Sequence, residues 1–522
     1  MSYSKIFSDL PELTYEVIKY FRNDFSTLYS CILVNRLWCR LAIPLLWENP
    51  FSTPKQNFNF IGIYLHNLNG DLKVKLNEYK VDDNLFPLNT LFNYPIFLKY
   101  LYTQKIISSI ERWSKDVIRT LKIESNSVFK FKRLIHISLF KIFIENEVNI
   151  HTINIQFNNY YLHYYIDDML ELMLQNPDFF HNISNLKFHF IGPSLDHTKN
   201  RISQIINLHQ NLKKITLLGY FCFPLYQLSR NHNHSNTLNT IILFNISFIG
   251  ITNLDKVFEQ LNVLESVHII HCILDTDFIQ QIVNLTKPFK LKSIFLNREL
   301  QIDESLQLLL QKYGDYLENF GFRYDFVDLF PKKQQLLELI IKYCKNIKFL
   351  DLTVFNINNW IIYQLFNLTE NSKQNLNYLS IDVINNLSSN IIECSSTILR
   401  NLGQILPLKL EYLNLVLNIK YIDDFEIFLK NSQNTFIKKL IITNKEIDDD
   451  IHDYILFYIK EYIMKKKRVK YLAIISNFFK GSTVNNDLFS FKDEVKEYEF
   501  YNIKIQKYED LAIDNKLKFI NL

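Results

Sequence analysis

The two histidines of His232-Asn233-His234 are the closest this chain comes to a metal-ligand pair. They sit in the polar run RNHNHSN, which reads as a solvated loop between repeats. Asp448-Asp449-Asp450 could hold a divalent cation, but it stands where a helix should begin, and Lys465-Lys466-Lys467-Arg468 stands where the same helix should end. Acid at the first turn and base at the last is what the helix dipole favours. That also argues against reading the basic run as a nuclear-localisation signal. Phe129-Lys130-Phe131-Lys132-Arg133 mixes aromatics with bases, as a nucleic-acid surface would. With charge nearly balanced overall, it reads instead as a strand or loop of a terminal repeat. The sequence has no Gly-rich phosphate loop, no G-x-S-x-G and no H-E-x-x-H. No catalytic residue, metal or cofactor is therefore expected, and the chain is not expected to be an enzyme.

The elements that would carry any function are those of a long, ordered chain. At 522 residues it needs several domains or one repeat array. Its 58 basic and 54 acidic residues leave a formal charge of only +4, which argues for neither a nucleic-acid nor a membrane partner. A 48% hydrophobic content with 21% charged residues excludes a disordered chain, and 9 glycines argue against Gly-dependent tight-turn folds. The six cysteines are scattered, with no C-x-x-C, as expected of reduced intracellular thiols and a cytoplasmic or nuclear protein. The longest apolar window, Thr240 to Ile251, is too short for a membrane span, and no signal-peptide pattern opens the chain.

From residue 116 to 522 the chain repeats. A short strand pattern, L-x-x-L-x-L with Ile, Val, Phe or Tyr allowed, starts at 118, 150, 183, 212, 238, 264, 291, 317, 347, 376, 410, 437, 469 and 495. The spacing averages about 29 residues, and helical patterns fill the gaps. Leu306, Leu309, Leu310 and Tyr313 share one helix face; Ile451, Tyr454, Ile455, Tyr458, Ile459 and Tyr462 share another. The unit resembles the leucine-rich repeat, which implies a right-handed α/β solenoid of about 14 irregular repeats, a horseshoe with its parallel sheet inside. In that family Asn or Cys follows the strand and satisfies the turn; here only Asn126, Asn158, Cys272, Asn418 and Asn477 stand at that place, so irregular turns are expected. The third, fifth and seventh strand positions should open on the concave surface. Leu218, Ile242, Phe244, His268 and Ile270 occupy such positions, and Asn297, Asn319, Arg323, Asp351 and Thr353 follow in later repeats. Together they predict an apolar substrate patch with a polar rim.

Residues 1–51 read as three helices. Ser8 or Asp9 can cap the first, with Pro11 in its opening turn; Asp24 or Ser26 can cap the second; the third begins near Asn35, and Pro44 should kink or end it. Residues 52–115 read as a connector that caps the array, so the helical unit is not needed to close it.

The helical stretch resembles the F-box motif, in the version common in expanded fungal families. The resemblance rests on Leu10-Pro11-Glu12-Leu13, Leu28…Cys31, Leu33-Val34-Asn35-Arg36-Leu37-Trp38, Cys39-Arg40-Leu41-Ala42, Pro44-Leu45-Leu46-Trp47 and the closing Glu48-Asn49-Pro50-Phe51. It implies docking onto a Skp-type adaptor, and through it a cullin, by Leu10, Pro11, Leu13, Ile18, Leu28, Val34, Asn35 and Trp38. The expected function is a non-catalytic substrate-recognition subunit of a ubiquitin ligase, with the array holding a protein substrate. The alternative is a leucine-rich scaffold acting outside any cullin ligase.

Overall fold

The computed structural model describes residues 10–52, 58–79, 81, 90–157, 163–180, 182–191, 196–209, 211–219, 223–228, 236–287, 289–296, 304–322, 330–354, 359–383, 391–445, 449–476, 486–490, 492–513 and 520. The protein is α/β, and the chain divides into two compact units, Met1–Ile242 with Lys256–Leu264, and Leu243–Asp255 with Glu265–Leu522.

The first unit opens with helices α1 (Pro11–Lys19), α2 (Phe25–Ile32) and α3 (Arg36–Leu46). Pro11 takes the first helical position, where its missing N–H costs nothing. Asp24 caps α2 by accepting from the Thr27 N–H at 3.1 Å, and Asn35 caps α3 by accepting from the Trp38 N–H at 2.9 Å. Pro44 is followed by only two more helical residues, so it marks the end of α3. Ile18, Leu28, Cys31, Ala42 and Leu45 meet in the core of this small unit.

Beyond it come the short helices α4 (Phe60–Leu65) and α5 (Gly70–Asn77), then strand β1 (Tyr100–Tyr102), α6 (Thr103–Leu121), α7 (Ser125–Glu145), β2 (Thr152–Phe157), α8 (His163–Gln175), β3 (Asn185–Phe190) and β4 (Lys214–Leu218). β1 to β4 pair in chain order, all parallel. The strand expected at Ile118 is wrong, because those residues close α6, whose Ile106, Ile107, Ile110, Trp113 and Val117 are buried. A helical stripe sustained over nineteen residues outweighs a six-residue strand window. The first strand lies instead in the expected connector, at Tyr100. Phe129 to Arg133, expected as a strand or loop, sit inside α7.

One backbone feature ties these pieces together. The residue before each strand offers its carbonyl to two successive N–H groups of the next strand's start. Lys99 O accepts from His151 N at 3.0 Å and Thr152 N at 3.1 Å; His151 O accepts from Ser184 N at 3.2 Å and Asn185 N at 3.1 Å; Ser184 O accepts from Lys213 N at 2.8 Å and Lys214 N at 3.0 Å. The ladder begins one step earlier than β1. Glu48 O, just past α3, accepts from Lys99 N at 3.0 Å and Tyr100 N at 3.2 Å. The Glu48 carboxylate, 3% exposed, also accepts from Arg22 Nε and Lys99 Nζ, each at 2.6 Å. The helical unit therefore closes the first edge of the sheet, contrary to the expectation that residues 52–115 do so alone.

In the second unit β6 (Ser266–Ile270), β7 (Lys290–Leu296), β8 (Asn319–Phe322), β9 (Phe349–Val354), β10 (Tyr378–Val383), β11 (Lys409–Leu417), β12 (Phe436–Asn444) and β13 (Val469–Ser476) again pair in order and parallel. β5 (Thr240–Phe244) spans the division between units. Consecutive parallel strands with crossovers of one hand place the intervening helices on one sheet face. Twelve of the fourteen expected starts lie on a strand or two residues before one; Ile118 and Val495 do not. Val495 falls in the helix Lys492–Glu499, where only every third or fourth residue can reach the core and Tyr498 does.

The helix Glu304–Tyr313 buries Leu306, Leu309, Leu310 and Tyr313 as its spacing predicts. The helix from Asp449 runs to Ile459 and continues as a π turn to Met464. It buries Ile451, Ile455, Ile459 and Ile463, while Tyr454 is exposed. Arg468, expected to serve its own helix end, is 7% exposed and instead donates to Leu429 O at 3.2 Å, Thr435 O at 3.3 Å and Ser432 O. It satisfies the carbonyl end of the neighbouring helix Ile422–Asn431.

Two features have measurable consequences. Glu48→Ala leaves Arg22 and Lys99 without their shared acceptor, and should cost about 2 kcal/mol in chemical denaturation; an unchanged midpoint would remove Glu48 as the join. His136 on α7 is fully buried beside Phe140 and Tyr165, and among the described residues neither ring nitrogen has a hydrogen-bond partner. Burial, slightly offset by Asp168, pushes its pKa from 6.5 down to about 4. The unfolded chain thus takes a proton below 6.5 that the fold refuses until about 4, and stability falls as pH drops through that window. At pH 5 the loss relative to neutral pH should be about 2 kcal/mol, and His136→Leu should abolish that increment in paired denaturation curves.

Candidate protein-docking site

The three-helix unit keeps several large apolar residues on the outside. Leu10, Leu13 and Val17 follow one another at helical spacing along α1 and are 43%, 55% and 43% exposed. Leu33 and Val34, in the turn between α2 and α3, are 74% and 57% exposed. A unit of forty-odd residues with this much apolar surface outside its own core matches what an interface requires, not what a solvated cap requires. Its base is fixed by the aromatic edge contacts of Trp47 with Tyr64 at 5.4 Å and of Tyr64 with Phe143 at 5.4 Å.

The eight residues expected to dock a partner divide accordingly. Leu10, Pro11, Leu13, Val34 and Asn35 are exposed and Trp38 is half-buried. Ile18 and Leu28 are fully buried in the core of the unit and present nothing outward. Asn35 spends its side-chain oxygen on the α3 cap. Val17 and Leu33, which were not among the eight, belong to the exposed set; the i, i+3, i+7 step from Leu10 was the signal for Val17.

The apolar patch expected on the sheet is corrected by burial. Leu218 is 6% exposed, His268 9%, and Ile242 and Ile270 are fully covered, with Phe244 half-buried. In a parallel sheet each side chain is flanked by its in-register neighbours, and large neighbours cover one another. Within the second unit Ile270 pairs with Phe295, whose ring lies over Gly321, where a Cβ would come within 2.7 Å of it. The expected polar rim is also covered: Asn319, Asp351 and Thr353 are buried. His268 Nδ1 and Asn319 Nδ2 both reach Ser293 Oγ, at 2.7 and 2.8 Å, as a ladder across β6, β7 and β8. Asn297 and Arg323 lie outside the described residues.

At the far end of the second unit the same face is filled by the chain itself. β14 (Asn486–Asp487) adds antiparallel to β13, and β15 (Lys504–Ile505) adds parallel. The following turn packs Leu511 on Tyr412, Ile441 and Ala473. The Ile513 N–H donates to Tyr412 Oη at 3.2 Å.

Of the residues expected to satisfy the turns, Cys272 places Sγ 3.5 Å from both Leu243 O and Ile270 O, and Asn126 lies in α7. Asn444, one position short of the family spacing, does the same work by accepting from the Ile419 N–H at 2.9 Å. Asn158 and Asn477, like His232, His234 and Asp448, lie outside the described residues.

The described residues contain no group of three metal-ligating side chains, and among them no helix is long and apolar enough to cross a membrane. Among the described residues five cysteines are free, and burial pushes the Cys272 and Cys344 thiols up to about 12, away from the reactive thiolate. A cleft of about 410 Å³ between the helical unit and β1 is lined by Arg22, Phe25, Leu45, Glu48, Tyr100 and Tyr102, but its charges already pair with each other.

The division between inner and outer residues is testable. Leu28→Ala should cost about 2–5 kcal/mol, whereas Leu13→Ala and Val34→Ala should each change stability by no more than about 0.5 kcal/mol. Equal losses in chemical denaturation would mean that the outer residues are core. No protein-family model matches this chain, and no curated protein matches it.

Proposed function

We propose that the protein is a non-catalytic substrate-recognition subunit of a Skp–cullin–F-box ubiquitin ligase. In this reading the three-helix unit is an F-box that docks a Skp-type adaptor, and the strand–helix units form a leucine-rich array that holds a protein substrate. The observation that carries it is the stripe of Leu10, Leu13 and Val17 with Leu33 and Val34, apolar and exposed on a unit whose own core is complete. Its support in the sequence is the run from Leu10-Pro11 to Phe51, which follows the F-box order of residues. The anchoring of that unit through Glu48 suits an adaptor, since a rigid joint holds a substrate at a fixed distance from a ligase.

The test is capture of the full-length chain by a purified Skp-type adaptor. Leu13→Glu with Val34→Glu should weaken capture by at least about tenfold while the unfolding midpoint stays put, because both sites are exposed. Undiminished capture would overturn the docking assignment. Co-purification of a cullin with the wild-type chain, lost in the double variant, is the expected second result. Adaptor without cullin would favour a scaffold that works outside the ligase.

A further inference from the structure

Helix α6 has a polar row beside its buried stripe. Gln104, Lys105, Ser108, Ser109 and Arg112 recur at steps of three and four, so they lie together over consecutive turns. All five line a cleft of about 380 Å³, which Phe51, Ser52 and Phe58 also line. Phe51 is 4% exposed and held by ring contacts with Phe60 at 5.2 Å and Phe143 at 6.4 Å, so that wall is fixed. The Arg112 guanidinium lies over the Phe58 ring, 5.5 Å from its centre.

The lining has two cations and no acid. Neither Lys105 nor Arg112 forms an ion pair among the described residues. Of the acids on α6, Asp116 pairs with Arg119, and Glu111 is adjacent to Arg112 and so does not face it. The stretch from Asn49 to Gly70, which supplies the rest of the lining, has no acidic residue, and Lys55 is its one formal charge. Donors stand between the cations. Ser109 is 2% exposed, and neither its hydroxyl nor that of Ser108 has a hydrogen-bond partner among the described residues. A hydroxyl so deep normally bonds something, and Ser109 has the cleft to face. Gln104 Oε1 is covered, so its amide nitrogen is the atom it can offer. Lys105 and Arg112 are seven residues apart, about 10 Å along the helix axis. Their long side chains can close from either end on an anion seated over the two serines.

We infer that this cleft binds a phosphate monoester. Arg112 and Lys105 take the phosphate from either end, Ser108 and Ser109 donate to its oxygens, and Phe51 and Phe58 meet the apolar body that carries it. A monoester is close to a dianion at neutral pH and brings three acceptor oxygens, which matches two cations and a row of donors. The arginine fork takes two oxygens at once, and lysine takes a third as a point charge. A carboxylate has half the charge and would leave part of the row unused. The aromatic walls give the ligand's body a surface that a bare ion cannot use. The bound ester would bridge α6 to the turn Pro50–Ser52, which follows the three-helix unit. The site is separate from the docking stripe on α1 and does not depend on the ligase reading.

The probe is phenyl phosphate, titrated into the full chain by calorimetry, with inorganic phosphate and phenol as its two halves. Phenyl phosphate should bind, inorganic phosphate should bind more weakly by about threefold or more, and phenol should give no heat. Binding should weaken at high ionic strength. It should also weaken as pH falls through about 6, where the ester takes its second proton while lysine and arginine keep their charge. Lys105→Met with Arg112→Met should weaken binding by about tenfold or more while the unfolding midpoint stays put, since both residues are exposed. Lys105→Arg with Arg112→Lys should keep most of the affinity, which separates loss of charge from loss of structure. Ser109→Ala, which leaves the charge intact, should weaken binding by about fivefold. No heat with phenyl phosphate, or affinity indifferent to the methionine variants, would overturn the inference. Inorganic phosphate bound as tightly as phenyl phosphate would overturn the monoester, in favour of a bare-anion site.

Discussion

A parallel sheet built one strand at a time always has an open edge at each end, and unsatisfied backbone there invites the wrong partner. The first unit answers this with a carbonyl. Glu48 O, at the end of the three-helix unit, takes two N–H groups from the start of β1 in the same way that Lys99, His151 and Ser184 serve the strands after it. The second unit answers it with chain. β14 and β15 cover the edge of β13, and Leu511 seals the neighbouring face.

The closure at Glu48 sets the character of the helical unit. One residue provides both the backbone acceptor and a buried carboxylate held by Arg22, from the turn after α1, and Lys99, from the residue before β1. A carboxylate that deeply placed survives only because two cations meet it. The unit is consequently a rigid extension of the sheet. Its inner side is spent on Trp47 and Phe51, and its outer side keeps Leu10, Leu13, Val17, Leu33 and Val34 in solvent.

Strand period was legible in the sequence because a buried parallel strand needs an apolar residue at alternate positions, and twelve starts carried that mark. Two false starts, Ile118 and Val495, show its limit: six residues of the right types also fit a helix face, and only the longer context decides. β1 was missed because three residues carry too little pattern. In the three-helix unit, Leu10 and Leu13, picked from residue order, are exposed, whereas Ile18 and Leu28, picked the same way, are buried in its core. A motif records which residues matter without recording whether they matter to a partner or to the core. Exposure on the sheet was the least legible property, since it depends on in-register neighbours far away in sequence, such as Phe295 lying over Gly321 beside Ile270.

That last point separates the two faces of the sheet. The helical side of the sheet is packed shut, so substitutions there act on stability. On the other side the second unit fills its own face, with the His268–Ser293–Asn319 ladder in the middle and the chain's last turn at the end. The first unit does the opposite and lines β2, β3 and β4 with Asn154, Lys187, His189 and Lys214. Apolar residues in such rows cover one another and leave little surface. Cations in such rows repel one another: burial and the neighbouring Lys187 both lower the Lys214 pKa.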